Sequence, residues 1–295
     1  MKQNLGRLGL LLVTIIWGSG YVVSEVALDV LDPYQLMAGR FLVAFTATIL
    51  LFFNKLKNIT KKTFFRGSLL GLVLYLAFVF QTVGLQYTTP SKNAFLTAIN
   101  VVLVPFIGLF LYKNKISFRA YVGAFLSIFG IGLLSLNGFN GFNVGDGLTL
   151  IGAVFFSFQI ILTSRLVRTE NIFAIMIVQM GTAALCGLLV IFFRGDPLPA
   201  LTITGSFSVL YLGILCTMFG FMLQTAAQRF TADTETAIIL SMESLWGMLF
   251  SMLLLHEKVT FQMALGAALI LTGVLVSEVD FKKLKHRRKQ KLERK

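Results

Sequence analysis

The stretch WGSGYVVSE at residues 17–25 places aromatic, hydroxyl and carboxylate side chains inside an otherwise apolar run. Trp17, Tyr21 and Ser24 are spaced i, i+4 and i+7, so they share one face of a helix. Aromatic side chains with polar tips can stack on a small molecule or form a hydrogen bond with it. We predict that Trp17 and Tyr21 line a substrate cavity; the alternative is that they are packing residues or interface anchors.

A second polar stripe is formed by Asn93, Thr97 and Asn100 in the fourth apolar run of the chain. Asn100 and Glu243 each lie nine residues into their runs, which is about 14 Å deep in a helix. Polar groups at that depth usually face the bundle interior or a water-filled path. We predict that all four residues bind substrate and that Glu243 exchanges a proton; the alternative for Glu243 is a structural hydrogen bond.

Three further side chains are candidates for the same cavity. Trp246 follows Glu243 by three residues and therefore lies on the same side of its helix. Gln81 and Gln159 are amides deep inside apolar runs. We predict that these three residues line the cavity, with helix packing as the alternative for each.

Arg40 lies within an apolar run, about 10 Å below the outer surface at the rise of an α-helix. Its guanidinium group stays charged at any relevant pH. The first run ends near the same surface with Glu25, so we predict a structural Glu25–Arg40 ion pair. Contact between Arg40 and an anionic substrate is the alternative.

The composition indicates a membrane protein, because 56% of the 295 residues are hydrophobic and only 13% are charged. Soluble domains are typically about 25% charged. A helix of about 20 apolar residues spans a bilayer. Ten such runs are present: 7–27, 33–54, 64–86, 91–112, 118–136, 147–168, 172–193, 205–227, 234–255 and 261–279.

The sequence argues against several other functions. It contains no GxxxxGK[ST] phosphate loop, so we expect transport driven by gradients rather than by ATP hydrolysed in this chain. His256 and His286 are the only histidines, and Cys186 and Cys216 lie inside apolar runs as small hydrophobes. We therefore expect no metal, no cofactor and no enzymatic nucleophile–base set.

Lys and Arg accumulate on the cytoplasmic side of membrane proteins. Of the 26 Lys and Arg residues, 22 fall in segments on the side of the N-terminus and three fall in the opposite loops. We predict a multi-pass plasma-membrane protein with both termini in the cytoplasm. The basic tail, residues 281–295, is expected to contact anionic lipid headgroups rather than nucleic acid.

The sequence contains an internal repeat. Residues 86–134 align with 229–277 at an offset of 143 without a gap, which pairs Asn100 with Glu243 and Gly130 with Gly273. The predicted units are residues 1–138 and 139–280, each with five spans. Because five is odd, the second unit enters the membrane from the opposite side. Inverted repeats recur in transporters; a purely structural duplication is the alternative.

The stretches WGSGYVVSE, Gly39-Arg40-Phe41, NAFLTAINVVLVPFIG and ESLWGMLFSMLLLHEKVTFQMALGAALILTGV occur in an order that resembles the drug/metabolite transporter superfamily, specifically the EamA family. The resemblance implies exporters and importers of amino acids, metabolites and toxic compounds. It also implies a central cavity lined by spans one, three, four, six, eight and nine. One departure is Asn114, which stands where the family often has Glu, so a symmetric pair with Glu257 is not expected.

Together these features predict an all-α membrane protein with ten transmembrane helices in two inverted five-helix repeats around a central cavity. The expected function is secondary active transport of a small metabolite, amino acid or drug-like solute by alternating access, with export as the direction. The alternatives are a protein that binds lipid headgroups and a structural membrane protein without transport activity. Either a monomer or a homodimer fits the sequence.

Overall fold

The chain folds as an assembly of helices in a computed structural model that describes residues 2–113, 117–136, 142–167, 169–196, 202–231, 236 and 239–278. The predicted basic tail and the departure at Asn114 lie outside the described residues. The helices are α1 Lys2–Leu28, α2 Pro33–Phe52, α3 Lys61–Leu85, α4 Pro90–Ala98, α5 Asn100–Tyr112, α6 Phe118–Leu136, α7 Val144–Leu166, α8 Ile172–Arg194, α9 Ile203–Leu210, α10 Gly220–Ala227, α11 Glu243–Leu254 and α12 Phe261–Glu278. A 3-10 helix covers Phe53–Asn58, and a π-helix at Tyr211–Phe219 joins α9 to α10.

Seven helical stretches of the described chain are long and apolar enough to cross a membrane. They are Asn4–Leu28, Pro33–Asn58, Lys61–Leu85, Pro90–Leu111, Val144–Leu166, Ile172–Arg194 and Ile203–Ala227. Three shorter apolar helices are Phe118–Leu133, Glu243–Leu254 and Phe261–Val276. The prediction of an all-helical, multi-pass membrane protein is confirmed, whereas the count of ten crossings stays a prediction.

Side-chain caps fix where the apolar runs become helices. At α2, the Asp32 carboxylate accepts from the Tyr34 backbone N–H at 2.9 Å, and the Gln35 side chain accepts from the Asp32 N–H at 3.2 Å. Each cap of this kind is worth about 1 kcal/mol, because it satisfies donors that have no partner within the helix. The caps of the other helices that begin this way are Thr60, Thr89, Asn143, Asn171 and Thr202.

An aromatic cluster joins four helices at the centre of the molecule. The Phe78 ring of α3 lies 5.6 Å from Phe41 of α2, 5.0 Å from Phe156 of α7 and 6.0 Å from Phe221 of α10, measured between ring centroids. All three contacts are edge-on, which is a favoured geometry for aromatic pairs. Since each ring comes from a different helix, the cluster fixes the spacing of the helices that surround the candidate site.

Helices α6 and α12 cross through a pair of reciprocal glycine contacts. A Cβ atom added at Gly130 would lie 2.7 Å from the Gly266 carbonyl oxygen, and one added at Gly273 would lie 2.6 Å from the Gly123 carbonyl oxygen. Membrane helices associate through such close packing, because lipid tails are as apolar as the side chains that they replace. The absence of side chains at these glycines therefore permits the crossing.

We expect Gly130→Ala to lower the free energy of unfolding by about 1–3 kcal/mol, since the added methyl group overpacks the α6–α12 crossing. Gly132→Ala is the matched control on the same helix, because nothing lies within 4 Å of its Cβ position. Thermal unfolding of the two purified variants in detergent measures the difference. Equal stability of the two variants would contradict the account of the crossing.

Candidate functional site

A cavity lies among α1, α2, α3, α4, α5, α7, α10, the π-helix, the residues that precede α11 and the first residue of α11. Eight of the nine predicted substrate residues line it: Trp17, Tyr21, Gln81, Asn93, Thr97, Asn100, Gln159 and Glu243. The structure therefore brings them together, while substrate binding by them stays a prediction.

Hydrogen bonds join three helices beside a buried carboxyl group. Gln81 Nε2 of α3 donates to the Tyr21 hydroxyl oxygen of α1 at 3.2 Å and to Thr97 Oγ1 of α4 at 3.0 Å. Glu243 lines the same cavity as these three residues and is only 7% exposed. Gln81 thus links α1, α3 and α4 in the wall that Glu243 shares.

Asn93 holds α4 against α3 and α7 beside these hydrogen bonds. Its Nδ2 donates to the Gln81 carbonyl oxygen at 3.0 Å and to Thr149 Oγ1 at 2.9 Å. Its Oδ1 is buried and has no hydrogen-bond partner among the residues that the structure describes. An unpaired buried acceptor is costly, so this oxygen is available to a donor that enters the cavity.

The two midplane residues predicted to be partners both stand where a helix restarts. α4 ends before Ile99, whose φ and ψ are −62° and −20°, and α5 begins at Asn100. Met242 has φ and ψ of −67° and −14°, and α11 begins at Glu243. Ile99 N–H bonds to the carbonyl three residues earlier, as Met242 N–H does. Both breaks border the cavity at equivalent positions of the repeat.

The two tryptophans differ in their surroundings. Trp17 lines the cavity, donates from Nε1 to the Cys216 carbonyl oxygen at 2.8 Å and packs 5.0 Å from Phe221. Trp246 is not among the residues that line the cavity, and its contact with substrate stays a prediction. Gly18 of α1 packs against the Cβ of Trp246, and the indole stacks 6.2 Å from Phe250 instead.

The predicted Glu25–Arg40 ion pair does not form. Arg40 Nε donates to Thr217 Oγ1 at 2.6 Å, and the guanidinium carbon lies 4.0 Å from the centre of the Phe78 ring. Glu25 Oε2 is buried without a hydrogen-bond partner in the described part of the chain. The helix face on which Arg40 lies turns its side chain into the cavity rather than toward Glu25.

Sequence reasoning missed the aromatic walls of the cavity, which are Phe78, Phe156 and Phe221. Nothing distinguishes Phe78 and Phe221 from the other phenylalanines of an apolar run. Phe156 could have been found from the sequence, because an alignment of the first and sixth apolar runs at an offset of 139 pairs it with Trp17. The described residues contain no group of three His, Cys, Asp or Glu side chains that could hold a metal ion.

Polar contacts also join the ends of helices away from the cavity. Lys92 Nζ of α4 lies 2.7 Å from Asp146 Oδ2 of α7, and both side chains are buried. Lys92 is one of the three basic residues predicted to lie in the loops opposite the N-terminus, whereas the structure places it in α4. Glu257 Oε2 accepts from Ser91 N at 3.2 Å, from Ser91 Oγ at 2.7 Å and from Ser251 Oγ. These contacts hold α4 against α7 and against the end of α11.

Comparison with known proteins gives three kinds of match. The EamA-like transporter family matches residues 4–136 and again residues 143–278. An "uncharacterized transporter" of Archaeoglobus fulgidus is 34% identical over 94% of this chain and 86% of its own. A "probable amino-acid metabolite efflux pump" of Escherichia coli is 25% identical over 90% of this chain and 92% of its own. A crystal structure 17% identical covers 92% of this chain and 95% of that chain with a TM-score of 0.69, which shows the same fold.

We expect Lys92→Met to lower the free energy of unfolding by about 3–5 kcal/mol, because it leaves the Asp146 carboxylate buried without its cation. Asp196→Asn is the control: it breaks the Arg194–Asp196 pair, whose side chains are 44% and 18% exposed, and should cost less than about 1 kcal/mol. Thermal unfolding in detergent compares them. A loss for Lys92→Met no larger than the control would contradict the structural role of the buried pair.

Proposed function

Because the chain belongs to the EamA-like transporter family, we propose that it is a secondary active transporter that exports a small metabolite, amino acid or drug-like solute by alternating access. Membership of this family and the transporter names of its relatives identify it as a transporter and not as an enzyme. The name of the Escherichia coli relative supports export and amino-acid cargo.

One observation carries the proposal for the site: a buried carboxyl group, Glu243, faces a cavity inside a membrane protein. A charged or polar group inside a membrane span is costly and is kept where it handles a solute or a proton. Glu243 can pair with a cationic group of the cargo, or it can exchange a proton with the solvent. Tyr21, Gln81 and Thr97 line the same cavity and are joined by the two hydrogen bonds described above.

We propose ten crossings in two inverted units, residues 1–138 and 139–280. The separate family matches to 4–136 and 143–278 support the duplication. The reciprocal glycine contacts support a two-fold relation, since Gly273 and Gly123 are the repeat counterparts of Gly130 and Gly266. The equivalent helix breaks before α5 and α11 support it independently.

The orientation of the chain in the membrane determines which contacts break when the cavity opens outward. The distribution of Lys and Arg supports a plasma-membrane location with both termini in the cytoplasm. The contacts of Glu257 with Ser91 and Ser251 then lie on the outer side, and they must separate before the cavity can open outward. The cavity is lined by residues of one chain, which supports a monomer as the transport unit, with a homodimer as the alternative.

We expect Glu243→Gln to reduce transport to the level of protein-free vesicles. The side-chain amide of Gln neither binds a proton near neutral pH nor neutralises a cation. Proteoliposomes loaded with the twenty amino acids are given a proton gradient of either sign, and efflux is measured by mass spectrometry. Asp29→Asn is the control, since it makes the same change at an exposed site after α1.

The amount of folded protein is measured for both variants by gel filtration. Normal efflux by the Gln variant would exclude Glu243 from the transport mechanism, and loss of folded protein would assign it a structural role instead. Dissipation of the proton gradient with an ionophore is expected to abolish efflux by the unmodified protein. Efflux that persists would indicate facilitated exchange rather than proton coupling.

A further inference from the structure

Arg40 carries a positive charge into the cavity wall. It is 4% exposed and is the only Lys or Arg among the described residues that line the cavity. Its Nε donates to Thr217 Oγ1 at 2.6 Å, and the Thr217 hydroxyl donates in turn to the Leu212 carbonyl oxygen at 2.8 Å. The π-helix that contains Thr217 therefore fixes the direction in which the guanidinium group points.

The charge of Arg40 has no counter-ion among the described residues. Its partners are a neutral hydroxyl at Thr217 and the aromatic face of Phe78, 4.0 Å away. None of the ion pairs between described residues includes Arg40. A buried cation without a counter-ion is strongly disfavoured, and a cation–π contact compensates only part of that cost.

We propose that Arg40 binds a carboxylate group of the solute, an inference that rests on the transport function proposed above. The planar guanidinium group matches a carboxylate through two parallel hydrogen bonds. A single cation balances the single charge of a carboxylate, whereas a phosphate monoester carries about −1.5 to −2 at neutral pH. A carboxylate is therefore the better complement.

The other residues of the cavity indicate the chemical character of the part of the solute that does not contact Arg40. The Phe78 ring centre lies 4.0 Å from the guanidinium carbon of Arg40, Phe156 and Phe221 add apolar surface to the cavity wall, and Glu243 offers a polar contact in the same cavity. The wall thus fits an apolar body that carries a carboxylate at the Arg40 end. The carboxyl group of Glu243 is left to accept from a donor elsewhere on the solute.

The test is the thermal stability of the purified full-length protein in detergent with a panel of small solutes. The panel contains the twenty amino acids and short monocarboxylic acids, each with its carboxamide, together with the amines that lack the carboxylate. We expect at least one carboxylate to raise the melting temperature. Its carboxamide and its amine are expected to bind about 10- to 100-fold more weakly, as for loss of a charge-assisted hydrogen bond.

Variants assign the effect to Arg40. Arg40→Gln is expected to lose the preference for the carboxylate, and Arg40→Lys to keep part of it through its charge. Arg194→Gln, an exposed position at the end of α8, is the matched control and is expected to bind like the unmodified protein. If Arg40→Gln does not fold, the Lys variant and the solute series decide the question.

The proposal is overturned if no carboxylate stabilises the unmodified protein, if carboxamides bind equally well, or if Arg40→Gln binds as the unmodified protein does. Efflux that depends on Glu243 but carries solutes without a carboxylate would retain the transport function and reject the role of Arg40. Binding of carboxylates that depends on Arg40, without efflux of any solute, would support this inference and reject transport.

Discussion

The lack of water inside a bilayer is the constraint on which this structure depends, because every polar group there must find a partner within the protein or face a cavity. The chain meets this constraint in two ways. Lys92 and Asp146 neutralise each other, and Glu257 is held by Ser91 and Ser251. Arg40 and Glu243 instead face a shared cavity.

The cavity and the helix breaks belong to one arrangement. Asn100 and Glu243 stand at the starts of α5 and α11, where the regular bonding of a continuous helix is interrupted. Interrupted helices at the centre of a membrane protein are tolerated where they line a cavity, and they give the two halves of a span different directions. The aromatic cluster around Phe78 keeps the surrounding helices in place.

Many residues of the cavity could be predicted from the sequence, because it gives the spacing of residues along a helix and their distance from the ends of an apolar run. These two quantities predict that Tyr21, Thr97 and Gln81 line one cavity, and all three do. The rotation of a helix and its close packing cannot be predicted in this way: Gly18 of α1 packs against the Cβ atom of Trp246, and the indole of Trp246 stacks on Phe250.

The partners of two buried cations were also beyond the reach of the sequence. Arg40 bonds to Thr217 on a π-helix, and the apolar residues of that segment do not distinguish a π-helix from an α-helix. Lys92 pairs with Asp146, which lies in the first turn of α7 and more than 50 residues away along the chain. Spacing along one helix cannot reveal such a pair, because it depends on how two separate helices pack.

The central claim is that positions 100 and 243 face a water-accessible cavity at the centre of the bilayer. It is tested most directly by single cysteines at these positions, with Cys186 and Cys216 replaced by alanine, in protein embedded in lipid vesicles. A cysteine at Phe125 of α6, whose side chain is 69% exposed on the outer surface of the helices, is the reference. The account predicts that a water-soluble thiol reagent labels positions 100 and 243 and leaves position 125 unlabelled. Labelling of 100 and 243 only by a lipid-soluble reagent, as expected for position 125, would contradict it.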